Sequence, residues 1–368
     1  MRKGTVLLLL LLSGCAAVTR PGSPPRKGAP DRPAQQPISP GQPVAQTQRF
    51  SLYSDPWINL HHFLYQWAAA AQQEEGPKSD LPAVEVPERA ELPQLAADER
   101  QAWTNAVDYY RREIIARDLL FDAGLIAAKE KLSQAAATGR ASLAGLPPQW
   151  RDVLEGAMRV YEKRWWPRHD RVNRAWIQSL SPQLQTYEGT LTAGLARAFG
   201  GTLPAQRVRL DAAAYSHRVG AYTTVHPDQT IVATSNPALQ GFNALEIVIH
   251  EFSHLDELEP PVRDLEARAF AQSHVPAPRD FWHAVIFYTA CDLTREALHA
   301  HGIDYQQCVA DRVDLLGRTP RWKPYWKAFD ASWKPFLEGR TDDRETAAAE
   351  VARDLVQSSA KPRQSGHG

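Results

Sequence analysis

The sequence of 368 residues is poor in cysteine, in net charge and in long apolar segments. It has only three cysteines, and its 42 basic and 42 acidic residues cancel. Because the sequence lacks a basic stripe, it does not have the electrostatic surface by which proteins bind nucleic acids. After the first twenty residues no segment is long and apolar enough to cross a membrane, and no internal repeat is visible.

Motifs of several common protein classes are also absent from the sequence. There is no GxSxG nucleophile turn, no glycine-rich phosphate loop and no CxxC pair. The sequence therefore does not indicate a serine hydrolase of the GxSxG type, a P-loop nucleotide-binding protein or a dithiol redox enzyme. Any chemistry must come from other side chains.

The N-terminus has the pattern of an export signal. A basic start precedes the apolar run Val6–Leu12, which is too short to span a bilayer and is typical of a signal-peptide core. The run ends in the letters LSGC, residues 12–15, which resemble the lipobox of bacterial lipoproteins. The resemblance implies a signal peptide over residues 1–14 and lipidation of Cys15. The alternative is a plain secretory signal with an incidental cysteine.

The residues after Cys15 indicate where the protein goes and how it is tethered. Ala16 occupies the position of the inner-membrane retention aspartate of Gram-negative lipoproteins, which by analogy implies an outer-membrane location facing the periplasm or the cell surface. Residues 15–48 are rich in Pro, Gly and Gln and lack large apolar side chains. Such a segment buries too little apolar surface to offset its chain entropy, so we expect a disordered tether.

Residues 49–360 are expected to form one compact unit of the α+β class, mainly helical. Residues 49–200 have apolar side chains at helical spacing and predict helices. Residues 201–360 begin with three predicted strands, in QRVRLDAAAY, GAYTTVHP and QTIVATS, and then become helical. The predicted helices include Pro148–Lys163, Asp170–Leu180, Pro182–Phe199, Asn243–Asp256, a helix from the N-cap Asp280 to Gly302, Tyr305–Leu316 and Arg344–Gln357.

The segment HEFSH, residues 250–254, has the pattern HExxH. On a helix the side chains of His250 and His254 lie one turn apart on the same face, so both imidazoles can reach one zinc ion. Glu251 is adjacent to the first ligand, where its carboxylate can act as a general base toward a water molecule. The apolar run Ala244–Ile249 buries this helix, so its polar residues require a reason.

The strand, loop and HExxH helix resemble the core of the zincin metallopeptidases. The resemblance extends over Gln206–Glu296, although its specific part is only five residues long. It implies a zincin-like core with a small sheet packed on the HExxH helix, and an edge strand, TIVATS, that binds the substrate backbone. Asp256 departs from the family pattern, which is apolar there, and this departure indicates that the helix ends near it. The alternative is an ordinary buried helix without a metal.

The third metal ligand is not determined by the motif. Metzincins require Gly and His at the positions held here by Glu257 and Pro260, so that subclass is excluded. Gluzincins use a glutamate of the following helix. His283 is the preferred candidate because it lies in the first turn of the next predicted helix. The alternatives are Glu266, His274 and Glu296, and a histidine satisfied within the core remains an equal possibility for His283.

Other residues support weaker hypotheses. Candidate oxyanion stabilisers are Tyr288, Tyr222, His217 and His226, among which the sequence does not discriminate. Asn59, His61 and His62 could line a cleft, although helix packing is the favoured interpretation. Cys291 and Cys308 could form a disulfide in an oxidising compartment or remain as two buried thiols.

Together these features predict a lipid-anchored zinc metallopeptidase of the bacterial envelope. Zinc would be held by His250, His254 and His283, and Glu251 would serve as the general base for hydrolysis of a peptide or a peptidoglycan-type amide. The alternative is a non-catalytic envelope binding or assembly lipoprotein with a structural or vestigial metal site. No nucleic-acid partner is expected, and the sequence does not indicate an oligomeric state.

Overall fold

A five-stranded mixed sheet lies at the centre of the computed structural model, which describes residues 41–74, 84–138 and 143–360. Its spatial strand order is β1-β2-β3-β5-β4. Strands β2, β3 and β5 run parallel, and β1 and β4 are antiparallel to their neighbours at the two edges. The strands are β1 (Ala45–Gln46), β2 (Phe50–Tyr53), β3 (Val208–Ala213), β4 (Ala221–Thr224) and β5 (Gln229–Ala233).

Helices make up most of the described chain, so the predicted fold class, α+β and mainly helical, is confirmed. The longer helices are α1 (Pro56–Glu74), α2 (Ala97–Tyr109), α3 (Ala123–Thr138), α4 (Pro148–Arg164), α5 (Trp166–Phe199), α6 (Phe242–Phe252), α7 (Glu259–Ala271) and α8 (Phe281–His299). Four short helices follow, α9 (Val309–Arg312), α10 (Leu315–Arg318), α11 (Lys323–Ala328) and α12 (Lys334–Leu337), and then α13 (Arg344–Ala360).

The two faces of the sheet are covered by different helices. Side chains alternate between the faces of a strand, so Leu210 and Val232 belong to one apolar cluster, whereas Tyr222 and Ile231 belong to another. The first cluster contains α5, α6, α7, α8 and α13, and the second contains α1, α2, α3 and α4. The sheet thus separates an N-terminal group of helices from the group that carries HExxH.

Helix α1 joins the two groups of elements through buried polar contacts. Asp55 caps α1, since its Oδ1 accepts hydrogen bonds from the amides of Trp57 and Ile58 at 2.9 and 3.0 Å. Asn59 donates to the carbonyl of Ala212 in β3 at 3.1 Å and accepts from the amide of Ala214 at 2.9 Å. Asn59 is therefore a packing residue, as the sequence favoured.

The three predicted strands are present, but β1 and β2 were missed. Residues 45–48 were assigned to the tether and residues 50–53 to the helical region, whereas the structure places Ala45–Gln46 and Phe50–Tyr53 in the sheet. Strand β2 is only four residues long and its parallel partner is β3, with Phe50 opposite Val208. A short strand whose partner is so distant in the chain has no local signal.

The predicted edge strand was also wrong. The segment TIVATS contains β5, which pairs with β3 on one side and with β4 on the other. It is therefore an inner strand, and β4 is the outermost strand on that side among the described residues. The prediction failed because position along the chain does not determine position across a sheet.

Two predicted helix boundaries differ from the structure. A break was expected between Leu180 and Pro182, but α5 continues through Pro182 to Phe199. Leu180 and Leu184, on either side of the proline, are both fully buried in the same cluster, and this packing stabilises the continuous helix. The predicted helix Tyr305–Leu316 is divided into α9 and α10 because Asp314 adopts a left-handed conformation, with φ of 50°.

The C-terminal helices are linked by a disulfide between Cys291 of α8 and Cys308, whose Cα atoms are 5.6 Å apart. Cys308 lies directly before α9. The signal peptide, Cys15 and the tether up to residue 40 lie outside the described residues. Within the described ranges, no helix has both the length and the hydrophobicity that a membrane crossing requires.

Candidate metal centre

The HExxH motif lies at the C-terminal end of α6. This helix is apolar over Ala244–Ile249 and ends at Phe252, which is earlier than the predicted end at Asp256. The backbone then continues as a narrower turn. The amide of Ser253 donates to the carbonyl of His250 at 3.0 Å, and the amide of His254 donates to the carbonyl of Glu251 at 3.1 Å. These bonds span three residues, as in a 3₁₀ turn, and they keep His254 near His250 although the α-helix has ended.

Three histidines come together at this place. The side-chain nitrogens of His250, His254 and His283 all lie within 4.8 Å of one another. The ring centres are 5.0 Å apart for His250 and His254, 5.3 Å for His250 and His283, and 5.2 Å for His254 and His283. The three rings therefore surround one point almost equally. His283 arrives from the first turn of α8, so the sequence candidate preferred as third ligand lies beside the motif.

The distance between the first two rings is suited to a metal. The Nε2 atoms of His250 and His254 face each other at 3.3 Å. Two nitrogens bound tetrahedrally to zinc at its usual bond length are about 3.3–3.4 Å apart. A direct hydrogen bond between the two rings would also explain this distance, but it would not explain why His283 lies equally close to both. An ion shared by the three nitrogens would account for the position of all three rings.

The protonation state of the cluster is also suited to a metal. Burial, together with the neighbouring His254 and His283, lowers the pKa of His250 well below its ordinary value. Burial lowers the pKa of His283 to about 3. Both imidazoles are therefore neutral at physiological pH, which is the form that binds a metal.

A carboxylate fixes the orientation of His254. The Oε2 atom of Glu259, at the start of α7, lies 2.9 Å from Nδ1 of His254. Since a carboxylate accepts, Nδ1 donates to Glu259, and Nε2 faces His250. Nδ1 of His250 is buried and has no hydrogen-bond partner among the described residues. The sequence interpretation missed Glu259, although an acidic residue five positions after a candidate ligand histidine was a usable signal.

Glu251 is buried beside the cluster and bonded to the edge strand. Its Oε2 accepts a hydrogen bond from Thr223 Oγ1 at 2.9 Å. Burial raises the pKa of Glu251, while His254, Thr223 and Lys129 act in the opposite direction. Lys129 comes from α3 and is itself buried, which lowers its pKa to about 7, and its Nζ donates to Thr224 at 2.6 Å. The contact with β4 was not predicted, because Thr223 has no distinctive sequence pattern.

Aromatic side chains cover the histidines on the side of α8. The ring centre of Phe287 is 3.9 Å from that of His250. Trp282 is stacked on His283 with ring centres 5.0 Å apart and an angle of 22°. Trp322 meets His283 edge to face at 5.8 Å. This apolar cover restricts water around the histidines and strengthens electrostatic interactions there.

The alternative third ligands lie elsewhere. Glu266 accepts a hydrogen bond from the amide of Trp282 in the first turn of α8, and burial raises its pKa to about 8. It lines an apolar cavity of about 20 Å³ together with Phe281 and Trp333. Asp280, predicted to cap α8, makes no capping bond and instead accepts from Trp322 Nε1 at 2.8 Å. Glu266 therefore provides the acceptor for a backbone amide in the first turn of α8, the role expected of Asp280.

The remaining two alternatives, His274 and Glu296, are exposed, one in the turn after α7 and the other near the end of α8. Neither belongs to the cluster around His250. A second group of potential ligands consists of Glu246, Cys291 and Cys308. Its two sulfur atoms are joined in the disulfide, and a disulfide sulfur is not the thiolate that binds a metal.

The candidate oxyanion stabilisers have other partners. Tyr288 donates to Asp330 at 2.6 Å, and Tyr222 bonds to His62 at 2.8 Å on the sheet face opposite to Thr223. His226 pairs with Asp256 at 2.8 Å on the surface. The fourth candidate, His217, packs against Tyr222. His61, considered from the sequence as a possible cleft residue, is buried and bonds to Tyr110 at 2.8 Å.

Comparison with known proteins identifies no relative of this chain. No protein-family model, no curated protein and no solved structure matches this chain. The site must therefore be interpreted from its own geometry.

Proposed function

We propose that this protein is a zinc-dependent hydrolase that cleaves peptide or peptidoglycan-type amide bonds. The observation that carries the proposal is the cluster of His250, His254 and His283 with the buried Glu251 beside it. Three histidine ligands would leave one position open on a tetrahedral ion, which is the arrangement of catalytic rather than structural zinc. Bound zinc would supply Lewis acidity toward the substrate carbonyl and toward water.

Glu251 is suited to the role of general base. Its carboxylate is adjacent to the cluster and is held by one hydrogen bond, from Thr223 at 2.9 Å, which leaves acceptor capacity for a water molecule. In the proposed reaction a Glu251 oxygen accepts the proton of the attacking water and returns it to the leaving nitrogen. The C–N bond breaks as the new C–O bond is completed, so the step needs no other reactant.

The position of β4 supports an extended substrate. This strand is the outermost one on its side among the described residues, and Thr223 within it contacts Glu251. A peptide that pairs with an edge strand gains backbone hydrogen bonds whatever its side chains. A substrate backbone added there would run next to Glu251. By the resemblance of residues 12–15 to a lipobox, the enzyme would act while anchored to the bacterial envelope.

The alternative is a binding or assembly lipoprotein in which the three histidines hold a structural metal. The presence of Glu251 favours the hydrolase, because a structural site does not need a buried acid that binds no metal. A closed structural site would also require a fourth protein ligand, and the described cluster has three.

Metal analysis of the purified chain tests the proposal. Wild type should contain about one zinc per chain, and His250→Ala, His254→Ala and His283→Ala should each lose most of it. His274→Ala is the matched control, since His274 is exposed and lies outside the cluster. Full zinc occupancy in the three cluster variants, or wild type without stoichiometric metal after zinc reconstitution, would disprove the metal centre.

A further inference from the structure

Arg263 lies on α7, the helix that connects the HExxH segment to α8. Its Nε donates to Oε1 of Glu259 at 2.9 Å, and its Nη2 is 2.8 Å from the same oxygen. The second oxygen of Glu259 holds Nδ1 of His254 at 2.9 Å. One side of the guanidinium is therefore connected to a candidate metal ligand through a single carboxylate.

The flat face of the same guanidinium reaches another ligand. The Cζ atom of Arg263 lies 3.6 Å from the centre of the Trp282 ring, which is a close cation–π contact. Trp282 is in turn stacked on His283, with ring centres 5.0 Å apart, and meets His254 edge to face at 5.7 Å. Arg263 and His283 thus lie against the indole of Trp282.

We propose that Arg263 is a positioning residue that keeps the rings of His254 and His283 at the distance and orientation that a shared metal requires. It acts on His254 through Glu259 and on His283 through Trp282. The inference rests on the proposed metal centre and extends it to a residue that is not a ligand. His254 belongs to the turn after α6 and His283 to α8, so no local backbone structure fixes the distance between them. A residue that contacts the supports of both rings reduces the motion that metal binding must otherwise arrest.

The chemistry of arginine is suited to this double role. A guanidinium is planar, so its edge can donate to a carboxylate while its face stacks on an indole. A lysine ammonium retains the charge but has no flat face, so it can replace only the contact with Glu259. Arg263→Lys therefore separates the two contributions.

Zinc affinity, measured by competition with a chelator, tests the inference. The control is Arg268→Ala, because Arg268 lies on the same helix and pairs with Glu345 at 3.0 Å with a similar exposure, 53% against 46% for Arg263. Arg263→Ala should weaken zinc binding about tenfold or more, as substitutions behind a metal ligand usually do. Arg263→Lys should fall between this variant and wild type, and Arg268→Ala should remain within about twofold of wild type.

The visible spectrum of Co²⁺ bound in place of zinc provides a readout that a general loss of stability would not change. Arg263→Ala should alter the spectrum by relaxing the two rings, and Arg268→Ala should leave it as in wild type. A double-mutant cycle provides a second test: in a Trp282→Leu background, Arg263→Ala should weaken zinc binding by a smaller factor than in wild type.

The outcomes separate this inference from the proposed function. Wild type that binds no zinc would disprove the metal centre itself. Wild type that binds zinc while Arg263→Ala equals Arg268→Ala would overturn the role of Arg263 and leave the metal centre intact. Equal affinity of Arg263→Lys and wild type, or full additivity in the cycle with Trp282, would overturn the two-sided contact.

Discussion

At the scale of single residues, the site combines groups that burial keeps neutral with one acid under opposing influences. His250 and His283 are driven to the neutral state by desolvation. Burial also favours the neutral form of Glu251, but His254, Thr223 and Lys129 favour its carboxylate form. A general base requires this balance, because an acid with an ordinary pKa is a weak base and a fully neutral acid cannot accept a proton.

Glu251→Gln should separate metal binding from catalysis. Glutamine retains the shape of the side chain and can still accept from Thr223, so zinc content and melting temperature should change little. It cannot accept a proton, and turnover of a peptide mixture or of peptidoglycan fragments should fall about 10²–10⁴-fold. Glu257→Gln, a change of the same type six residues further along, is the matched control and should retain activity. Wild-type turnover in Glu251→Gln would refute the proposed mechanism.

At the scale of elements, the two ends of α6 have different roles. Its C-terminal end carries the motif, and its N-terminal half is bonded to the α9 region through Glu246. The carboxyl of Glu246 accepts a hydrogen bond from Tyr305 at 2.6 Å and from the amide of Val309 at 3.1 Å. Val309 begins α9, next to the disulfide of Cys308. Helix α6, which carries His250 and leads into the turn of His254, is therefore also connected through Glu246 and the disulfide to α8, which carries His283.

The stability of this attachment should depend on pH. Burial raises the pKa of Glu246 from 4.5 to about 7 in the folded protein. The folded state therefore binds this proton more tightly than the unfolded state, and the resulting stabilisation is complete below pH 4.5 and lost as the pH rises through 7. The loss is of the order of 3 kcal/mol for a shift of this size.

Glu246→Gln removes this titration but preserves an acceptor for Tyr305 and Val309. Relative to wild type, the variant should gain roughly 3 kcal/mol of unfolding free energy between pH 4.5 and pH 8. Denaturant unfolding of both proteins at several pH values measures the difference. A difference that stays constant over this range would show that Glu246 is not the titrating group.

At the scale of the whole molecule, the sheet separates two groups of helices and the site lies at its β4 side. The α1–α4 group contributes Lys129 from behind this edge, while α6, α7 and α8 contribute the histidines and their supports. The contacts among the described residues place them all in one compact unit. The catalytic chemistry proposed here thus depends on elements from most of the folded chain rather than on the HExxH segment alone.

The proposed lipid anchor is a property of the whole chain and has its own test. In a Gram-negative host, wild type should partition with the outer membrane and carry an acyl mass on Cys15. Cys15→Ala should lose the acyl group and leave the membrane fraction, or accumulate as an unprocessed precursor. Ala16→Asp is the companion variant and should shift the protein to the inner membrane. An unmodified Cys15 in membrane-bound wild type would contradict the lipoprotein hypothesis.

The sequence by itself determined the features that depend on neighbours along the chain. The β-branched residues of QTIVATS predicted β5, and the apolar run before His250 predicted a buried helix that carries the motif. His283 was a reasonable candidate because the first turn of α8 was recognisable from its own periodicity. Each of these predictions uses contacts within one element, and such contacts are encoded in the local spacing of apolar side chains.

Only the tertiary structure decided which residues from different elements meet. It placed His283 rather than Glu266 beside His250, because α8 presents the histidine there while Glu266 accepts the amide of Trp282. It made β4 rather than β5 the edge strand, and it brought Thr223 to Glu251. It also placed Glu259, Arg263 and Trp282 around the candidate ligands. These contacts arise from how helices and strands pack in space, and the local spacing of residues does not specify that packing.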